Sequence, residues 1–195
     1  MKQLTHGSFL FEKEENRTKY PSYVIFPQCA EDDYWASRSD DTNRVNGKIG
    51  LDFSKPANKA LEEVFEIINY YRDKDYIDRS RVYIMGLSMG GRGTIEAITR
   101  YPDIFAAAIP ICGGGDLRYS ENFAKKVPVW VFHGAKDDVV LPSNSRDLVA
   151  AIKKLGGKPK YTEFPDVNHN SWDSAFATKD LLEWLFEQKN ISESK

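Results

Sequence analysis

Apolar and polar positions follow two different periods along the chain, and their order predicts a parallel sheet covered by helices. Five short runs rich in β-branched and aromatic residues are predicted to be strands: Tyr23–Phe26, Val82–Met85, Phe105–Ile111, Val127–Phe132 and Lys160–Phe164. The run Phe105–Ile111 is almost continuously apolar, which is typical of a strand buried on both faces. The pattern therefore predicts an α/β protein with a mostly parallel sheet.

Other stretches carry apolar residues at helical spacing. The first has Ser54 as its N-cap and Pro56 in its first turn, and its apolar positions continue to Tyr71. The others are Arg92–Arg100, Ser143–Leu155 and Ser174–Gln188. Residues 44–53 are predicted to be an irregular connection. Because no repeat or low-complexity linker interrupts the pattern, residues 1–195 are expected to form one domain.

Composition and charge exclude several classes of protein. Hydrophobic residues make up 41% and aromatic residues 13% of the 195 residues, which is enough for a packed core. The 27 Lys and Arg nearly balance the 29 Asp and Glu, so no positive field would hold a nucleic acid. No apolar run approaches the roughly 20 residues of a membrane span. Residues 1–7 lack the features of a signal peptide, and we expect a cytoplasmic protein.

Cysteine and histidine usage gives no sign of a metal or a cofactor. Cys29 and Cys112 form neither a zinc motif nor a disulfide framework, and both are expected to be small buried residues. The three histidines, His6, His133 and His169, are dispersed along the chain. No metal site is therefore expected.

The stretch Gly86–Gly91 carries the strongest chemical signal. Its Gly-x-Ser-x-Gly pattern lies between a predicted strand and a predicted helix, where a nucleophile elbow places its serine. Small residues let neighbouring segments pack closely, so the Ser88 hydroxyl stands clear of the sheet. The helix that follows points its positive end at a developing oxyanion, and the Met89 N–H is the expected first donor.

A serine nucleophile needs a base and an acid, which in this fold follow it in the order serine, acid, histidine. His169 lies in a loop after the last predicted strand and is the expected base; His133 and His6 are weaker candidates. Asp137 and Asp138 both follow the strand that ends at His133, where a carboxylate can orient the base. Asp116, one strand earlier, is a further candidate for the acid.

The chain resembles bacterial carboxylesterases of the α/β-hydrolase superfamily, in the phospholipase/carboxylesterase and dienelactone-hydrolase-like group. The resemblance lies in three ordered motifs: Ser80–Asp116, Val129–Val140 and Asn168–Asp173. It implies an α/β-hydrolase fold with helices on both faces of the sheet. It also implies that Ser88, Asp137 and His169 form the catalytic triad, and it favours Asp137 over Asp138.

One departure concerns the second oxyanion donor. Relatives carry a His-Gly-x-Gly strand upstream of the segment that resembles Lys19–Cys29, and this chain looks shortened there. The sheet should then have a reduced number of strands. Either Tyr23–Phe26 moves beside Val82–Met85 and brings the Gln28 or Cys29 N–H near Ser88, or a second copy of the chain completes the sheet as a homodimer. Secretion would be compatible with a longer N-terminus.

The resulting expectation is a serine carboxylesterase for small or aryl esters that needs no cofactor. Trp172 and Tyr119 are predicted to contact substrate, and Tyr34 and Trp35 are further pocket candidates, although ordinary packing would also explain these aromatic residues. A peptidase for short peptides is the second possible enzyme. A catalytically weak or degenerate hydrolase that acts as a binding protein is the possibility outside catalysis.

Overall fold

A computed structural model describes residues 5–40 and 50–192. Four parallel strands lie in the order β1-β2-β3-β4, which confirms the predicted α/β architecture with a parallel sheet. Their bounds are β1 Tyr83–Leu87, β2 Ala107–Ile111, β3 Trp130–Gly134 and β4 Lys160–Phe164. The sheet thus keeps the sequence order of its strands, as successive crossovers of one hand produce.

The helices connect and cover these strands. Their bounds are α1 Ser8–Glu12, α2 Glu14–Lys19, α3 Lys59–Arg72, α4 Met89–Arg100, α5 Ser143–Lys154, α6 Ser171–Phe176 and α7 Leu181–Glu187. Short 3-10 turns occupy Arg79–Arg81 and Leu117–Asn122. No described helix is long and apolar enough to cross a membrane.

Two helix predictions were wrong in their bounds. Ser54 does not cap a helix, because its backbone and hydroxyl bond the Asp52 carboxylate in a separate turn. The helix begins later, after Asn58. The stretch Ser174–Gln188 is two helices rather than one, because a tight turn in which Leu181 N–H donates to Thr178 C=O breaks the helical ladder.

The prediction of a strand at Tyr23–Phe26, the first of the five in chain order, was also wrong. This segment is extended, but no described residue forms a ladder with it. A strand exists only where a neighbouring backbone accepts and donates its hydrogen bonds. Rings of the segment instead contact other aromatic side chains, with Tyr23 5.5 Å from Tyr76 between centroids. Residues 44–49 of the predicted irregular connection lie outside the described residues.

Two apolar clusters pack on opposite faces of the sheet. Helices α3, α4 and α5 bury one face through residues such as Phe65, Ile98 and Leu148. Helices α1, α6 and α7 bury the other through residues such as Leu10 and Leu185. The sheet is therefore held between helices on both faces, and the carboxyl ends of its strands are left for loops that carry polar side chains.

Candidate active site

Ser88 lies in a sharp turn between β1 and α4. Its backbone has φ 53° and ψ −113°, in the left-handed half of conformational space that a non-glycine residue rarely adopts. Its N–H donates to Ile111 C=O at 2.8 Å, which fixes the turn to β2. Gly86 is required here because a Cβ at this position would lie 2.3 Å from Gly90 C=O. The local geometry is that of a nucleophile elbow.

The structure brings Ser88, His169 and Asp137 together in one hydrogen-bonded relay. Ser88 Oγ lies 3.0 Å from His169 Nε2, and His169 Nδ1 lies 2.8 Å from an Asp137 carboxylate oxygen. An ionised carboxylate only accepts, so Nδ1 carries the proton and Nε2 is left to accept from the serine hydroxyl. This arrangement can remove the Ser88 proton as the oxygen attacks a carbonyl carbon.

Asp137 is held rigidly at the end of β3. Its side chain is fully buried, and its second oxygen accepts from the N–H groups of Val139 and Val140 at 2.9 and 2.8 Å. Gly134 lets the histidine loop approach, because a Cβ there would lie 2.3 Å from the carbonyl oxygens of Val167 and Asn168. Thus β3 and the loop after β4 meet where the carboxylate faces the imidazole.

His133 has a structural position beneath this relay. Its Nε2 donates to Val140 C=O at 2.8 Å, and its Nδ1 lies 2.6 Å from Ser145 Oγ. Burial lowers the pKa of His133, so the neutral ring is favoured and Nδ1 accepts from the Ser145 hydroxyl. Nε2 also lies 3.2 Å from the Asp137 carboxylate and supports its orientation. The structure places His169, and not His133, against Ser88.

Asp116, Asp138 and His6 lie apart from the relay. Asp116 accepts from the Phe53 N–H at 3.1 Å and pairs with the Arg118 guanidinium at 2.6 Å, which fixes a loop. Asp138 is exposed. His6 lies near the site without joining the relay, because its ring packs 5.1 Å from the Trp172 ring.

Three side chains that can ligate a metal lie close together beside Ser88. The Cys112 sulfur, an Asp137 oxygen and a His169 nitrogen all lie within 4.8 Å of one another. Burial raises the pKa of the Cys112 thiol to about 12, so it stays protonated and is a poor ligand. Asp137 and His169 already bond each other, and the donor set fits the relay better than a metal.

The structure places some of the predicted oxyanion and substrate residues beside the relay and others elsewhere. Met89 is the first residue of α4, directly after the nucleophile, so its N–H lies at the positive end of that helix. Gln28 donates through its side chain to Cys29 C=O at 2.9 Å, and the second donor stays a prediction. Trp172 packs edge-on to the His169 ring at 5.4 Å. Tyr119 packs against the core beside α4 and α5 instead.

A large apolar trough, which the sequence analysis did not predict, lies beside Ser88. The trough has a volume of about 1440 Å³. One wall is β1 with Ser88 and Met89, and the other is formed by the segment Tyr20–Pro27 and by helix α3. Its only signal in the sequence is the unusual combination of an apolar strand pattern at Tyr23–Phe26 with prolines on both sides.

The parallel sheet between helices, with a serine on the elbow after β1, defines an α/β-hydrolase. The sequence profile described as "Dienelactone hydrolase family" matches residues 22–180. The chain belongs to the dienelactone hydrolase family.

Solved and curated relatives agree with that family. The crystal structure of a thermostable esterase is similar to this chain with a TM-score of 0.80 and 37% identity, covering 92% of this chain and 47% of the esterase. Poly(3-hydroxyalkanoate) depolymerase C of Paucimonas lemoignei is 27% identical over 175 residues, which cover 75% of this chain and 40% of the depolymerase. The Arabidopsis thaliana "Probable carboxylesterase SOBER1-like" is 27% identical over 145 residues, with 70% and 53% covered. The chain therefore spans about half the length of these relatives.

Proposed function

We propose that this chain is a serine carboxylesterase that hydrolyses small or aryl carboxylic esters. The observation that carries the proposal is the relay from Ser88 Oγ through His169 to the buried Asp137, at 3.0 and 2.8 Å. The esterase and carboxylesterase among the similar proteins support ester hydrolysis as its chemistry.

The reaction would proceed in two halves. Ser88 Oγ forms a bond to the acyl carbon while its proton passes to His169 Nε2, and the Met89 N–H stabilises the oxyanion. His169 then returns the proton to the leaving alkoxide as the ester C–O bond breaks. Water attacks the acyl-enzyme with His169 again as base, and the carboxylic acid leaves. Asp137 holds His169 in the required tautomer and stabilises its charged form.

The aryl preference is proposed from the aromatic surroundings of the base. Trp172 stands edge-on to His169, and the His6 ring also packs against this indole, 5.1 Å away between centroids. A flat leaving group could stack on such a surface. Tyr119 has no part in this proposal because it packs against the core beside α4 and α5.

Labelling with a fluorophosphonate probe tests the nucleophile directly. We expect the protein to be labelled at Ser88 and to hydrolyse p-nitrophenyl acetate. The Ser88→Ala variant should lose labelling and at least about 10⁴-fold of turnover. Ser54→Ala, which removes an exposed hydroxyl far along the chain, is the matched control.

Two outcomes would contradict the proposal. A folded protein that the probe does not label would act as a binding protein rather than as an enzyme. Faster turnover of an aminoacyl-p-nitroanilide than of p-nitrophenyl acetate would indicate a peptidase.

A further inference from the structure

The base and the acid of the relay lie in two loops that no helix or strand orders. Asp137 follows β3 and His169 follows β4. Their side chains bond at 2.8 Å, so the backbones of the two loops must keep a fixed spacing. A catalytic group that is displaced by about 1 Å can lose about 100-fold in rate. The contacts between these loops therefore decide whether the relay works.

Backbone hydrogen bonds join the two loops where they leave the sheet. The Ala135 N–H donates to Phe164 C=O at 2.9 Å, and the Lys136 N–H donates to Val167 C=O at 3.0 Å. The Lys136 ammonium also pairs with Asp166 at 2.7 Å, but both side chains are exposed, and water and salt screen such a pair. These bonds stop short of the base, which lies two residues beyond Val167.

The Asn168 side chain makes the next connection between the loops. Its Oδ1 accepts from the His169 N–H at 2.7 Å and from the Asp138 N–H at 3.3 Å. Because both partners are donors, the oxygen of the carboxamide and not its nitrogen faces them. His169 is the base, and Asp138 directly follows the acid. One side-chain oxygen thus binds the backbones of both loops beside the reacting groups.

Packing does not account for Asn168 at this position, because the residue is exposed. In the part of the chain that the structure describes, the bond from the Asp138 N–H is the only hydrogen bond, besides the relay itself, that joins residues 137–140 to residues 168–170. Without this bond, the relay would have to hold the two loops together by itself.

We propose that Asn168 is a positioning residue that keeps the base aligned with the acid. The inference rests on the proposed function and deepens it, because it concerns the same relay. By tying the His169 backbone to the loop of Asp137, Asn168 keeps Nδ1 against the carboxylate while Nε2 faces Ser88. Asn168 acts through the base, so its loss should weaken proton transfer and leave substrate binding as it is.

The variant Asn168→Ala tests this role in ester hydrolysis. It removes the shared acceptor, so kcat for p-nitrophenyl acetate should fall at least about tenfold. The value of kcat/KM should fall by the same factor, because a positioning residue makes no separate contribution to substrate binding. Asn168→Asp keeps a side-chain oxygen at the same place and should retain kcat within about threefold of the wild type.

Asn170→Ala is the matched control. Asn170 carries the same side chain on the other side of His169 and is also exposed. It precedes α6, but its side chain makes no capping hydrogen bond there. Its removal should change neither kcat nor KM. Urea unfolding of the three variants, with turnover compared at equal folded concentration, separates a loss of positioning from a loss of stability.

The His169 Nδ1 proton reports the relay without any turnover. In the wild type, its bond to Asp137 should give a low-field proton NMR signal that is missing in His169→Gln. Asn168→Ala should broaden or abolish this signal in the folded protein, and Asn168→Asp should retain it. A merely structural role would lower the free energy of unfolding and leave the signal unchanged. The wild-type amides of Asp138 and His169 should also be protected from exchange, because Asn168 accepts from both.

Three results would overturn the proposal: an Asn168→Ala variant whose kcat or proton signal matches the wild type, an Asn168→Asp variant as impaired as Asn168→Ala, or wild-type Asp138 and His169 amides that exchange as fast as those of an unfolded chain. If Asn168→Ala fails to fold, the exchange of the wild-type amides decides the question. A wild type that hydrolyses no ester and takes no fluorophosphonate label would contradict the proposed function alone, since the proton signal and the amides still test Asn168.

Discussion

At the scale of residues, the site depends on how tightly Asp137 is held. Its buried carboxylate faces two imidazoles, His169 at 2.8 Å and His133 at 3.2 Å, and accepts two backbone N–H groups. The order of motifs along the sequence predicted Ser88 and His169 of the relay. It left Asp137 and Asp138 open because both follow the same strand, and the resemblance to the family favoured Asp137. In the structure the bend after Gly134 turns the Asp137 carboxylate inward.

Asp137→Asn should therefore reduce kcat by about 10⁴-fold, because an amide favours the wrong tautomer of His169. Asp138→Asn should have little effect, since Asp138 is exposed. Turnover of p-nitrophenyl acetate by the two variants at equal folded concentration gives the comparison. Equal losses in both would argue against Asp137 as the orienting acid.

The buried His133 should make stability depend on pH. An unfolded histidine has a pKa near about 6.5, and burial lowers the folded value. Between these two pKa values the unfolded chain binds more protons, so the free energy of unfolding should fall as the pH drops below about 6.5. Urea unfolding between pH 7.5 and 5.5 measures this slope.

His133→Asn should flatten that slope, whereas His6→Asn, at a partly exposed position, should retain it. The Glu163 carboxyl does not confuse the comparison, because its hydrogen bond to Arg146 lowers its pKa to about 2. The contribution of Glu163 to the free energy of unfolding is lost only below about pH 4.5. A slope unchanged by His133→Asn would mean that this histidine is not the buried group that titrates.

At the scale of elements, α4 connects the nucleophile to the rest of the molecule. Glu96 in this helix is fully buried and accepts from the Ser37 N–H, from the Ser37 hydroxyl and from Arg100. The loop before α3 is thus tied to the same helix whose first turn carries Met89. Close contact between the start of α4 and β1 completes the elbow.

Gly86 and Gly90 of the elbow have different surroundings, so substituting each by alanine should change the stability differently. Gly86→Ala places a Cβ against the Gly90 carbonyl at 2.3 Å and should destabilise the fold by about 1–3 kcal/mol or more. A Cβ at Gly90 meets nothing within 4 Å, so Gly90→Ala should stabilise the helix by about 0.5–1 kcal/mol. Chemical unfolding of both variants measures the difference. Equal effects would contradict the close approach at Gly86.

The sequence predicted a helix or strand correctly where its local pattern of apolar residues was enough to define it. Strands at Phe105–Ile111 and Val127–Phe132 were recognisable because their apolar runs are long and they find neighbours on both sides. Tyr23–Phe26 has an equally good local pattern and is no strand, because pairing depends on a neighbour that local sequence does not contain. The break within Ser174–Gln188 was missed because its apolar spacing continues across the turn at Thr178.

At the scale of the whole molecule, the two edges of the sheet differ in charge within residues 5–40 and 50–192. The edge strand β4 carries charged side chains, whereas the edge strand β1 lines the trough beside the nucleophile. Any ligand that binds in this trough should therefore stabilise the fold as well as change access to Ser88.

The two buried cysteines have a practical consequence for work on this enzyme. Cys29 and Cys112 are 5% and 0% exposed, and burial raises the pKa of both thiols. Neither should react with Ellman's reagent until the protein is unfolded. Two cysteines introduced at exposed positions would then be the only sites that take a spin label or fluorophore. Distances across the molecule could be measured in the native sequence background, without first removing its own sulfur.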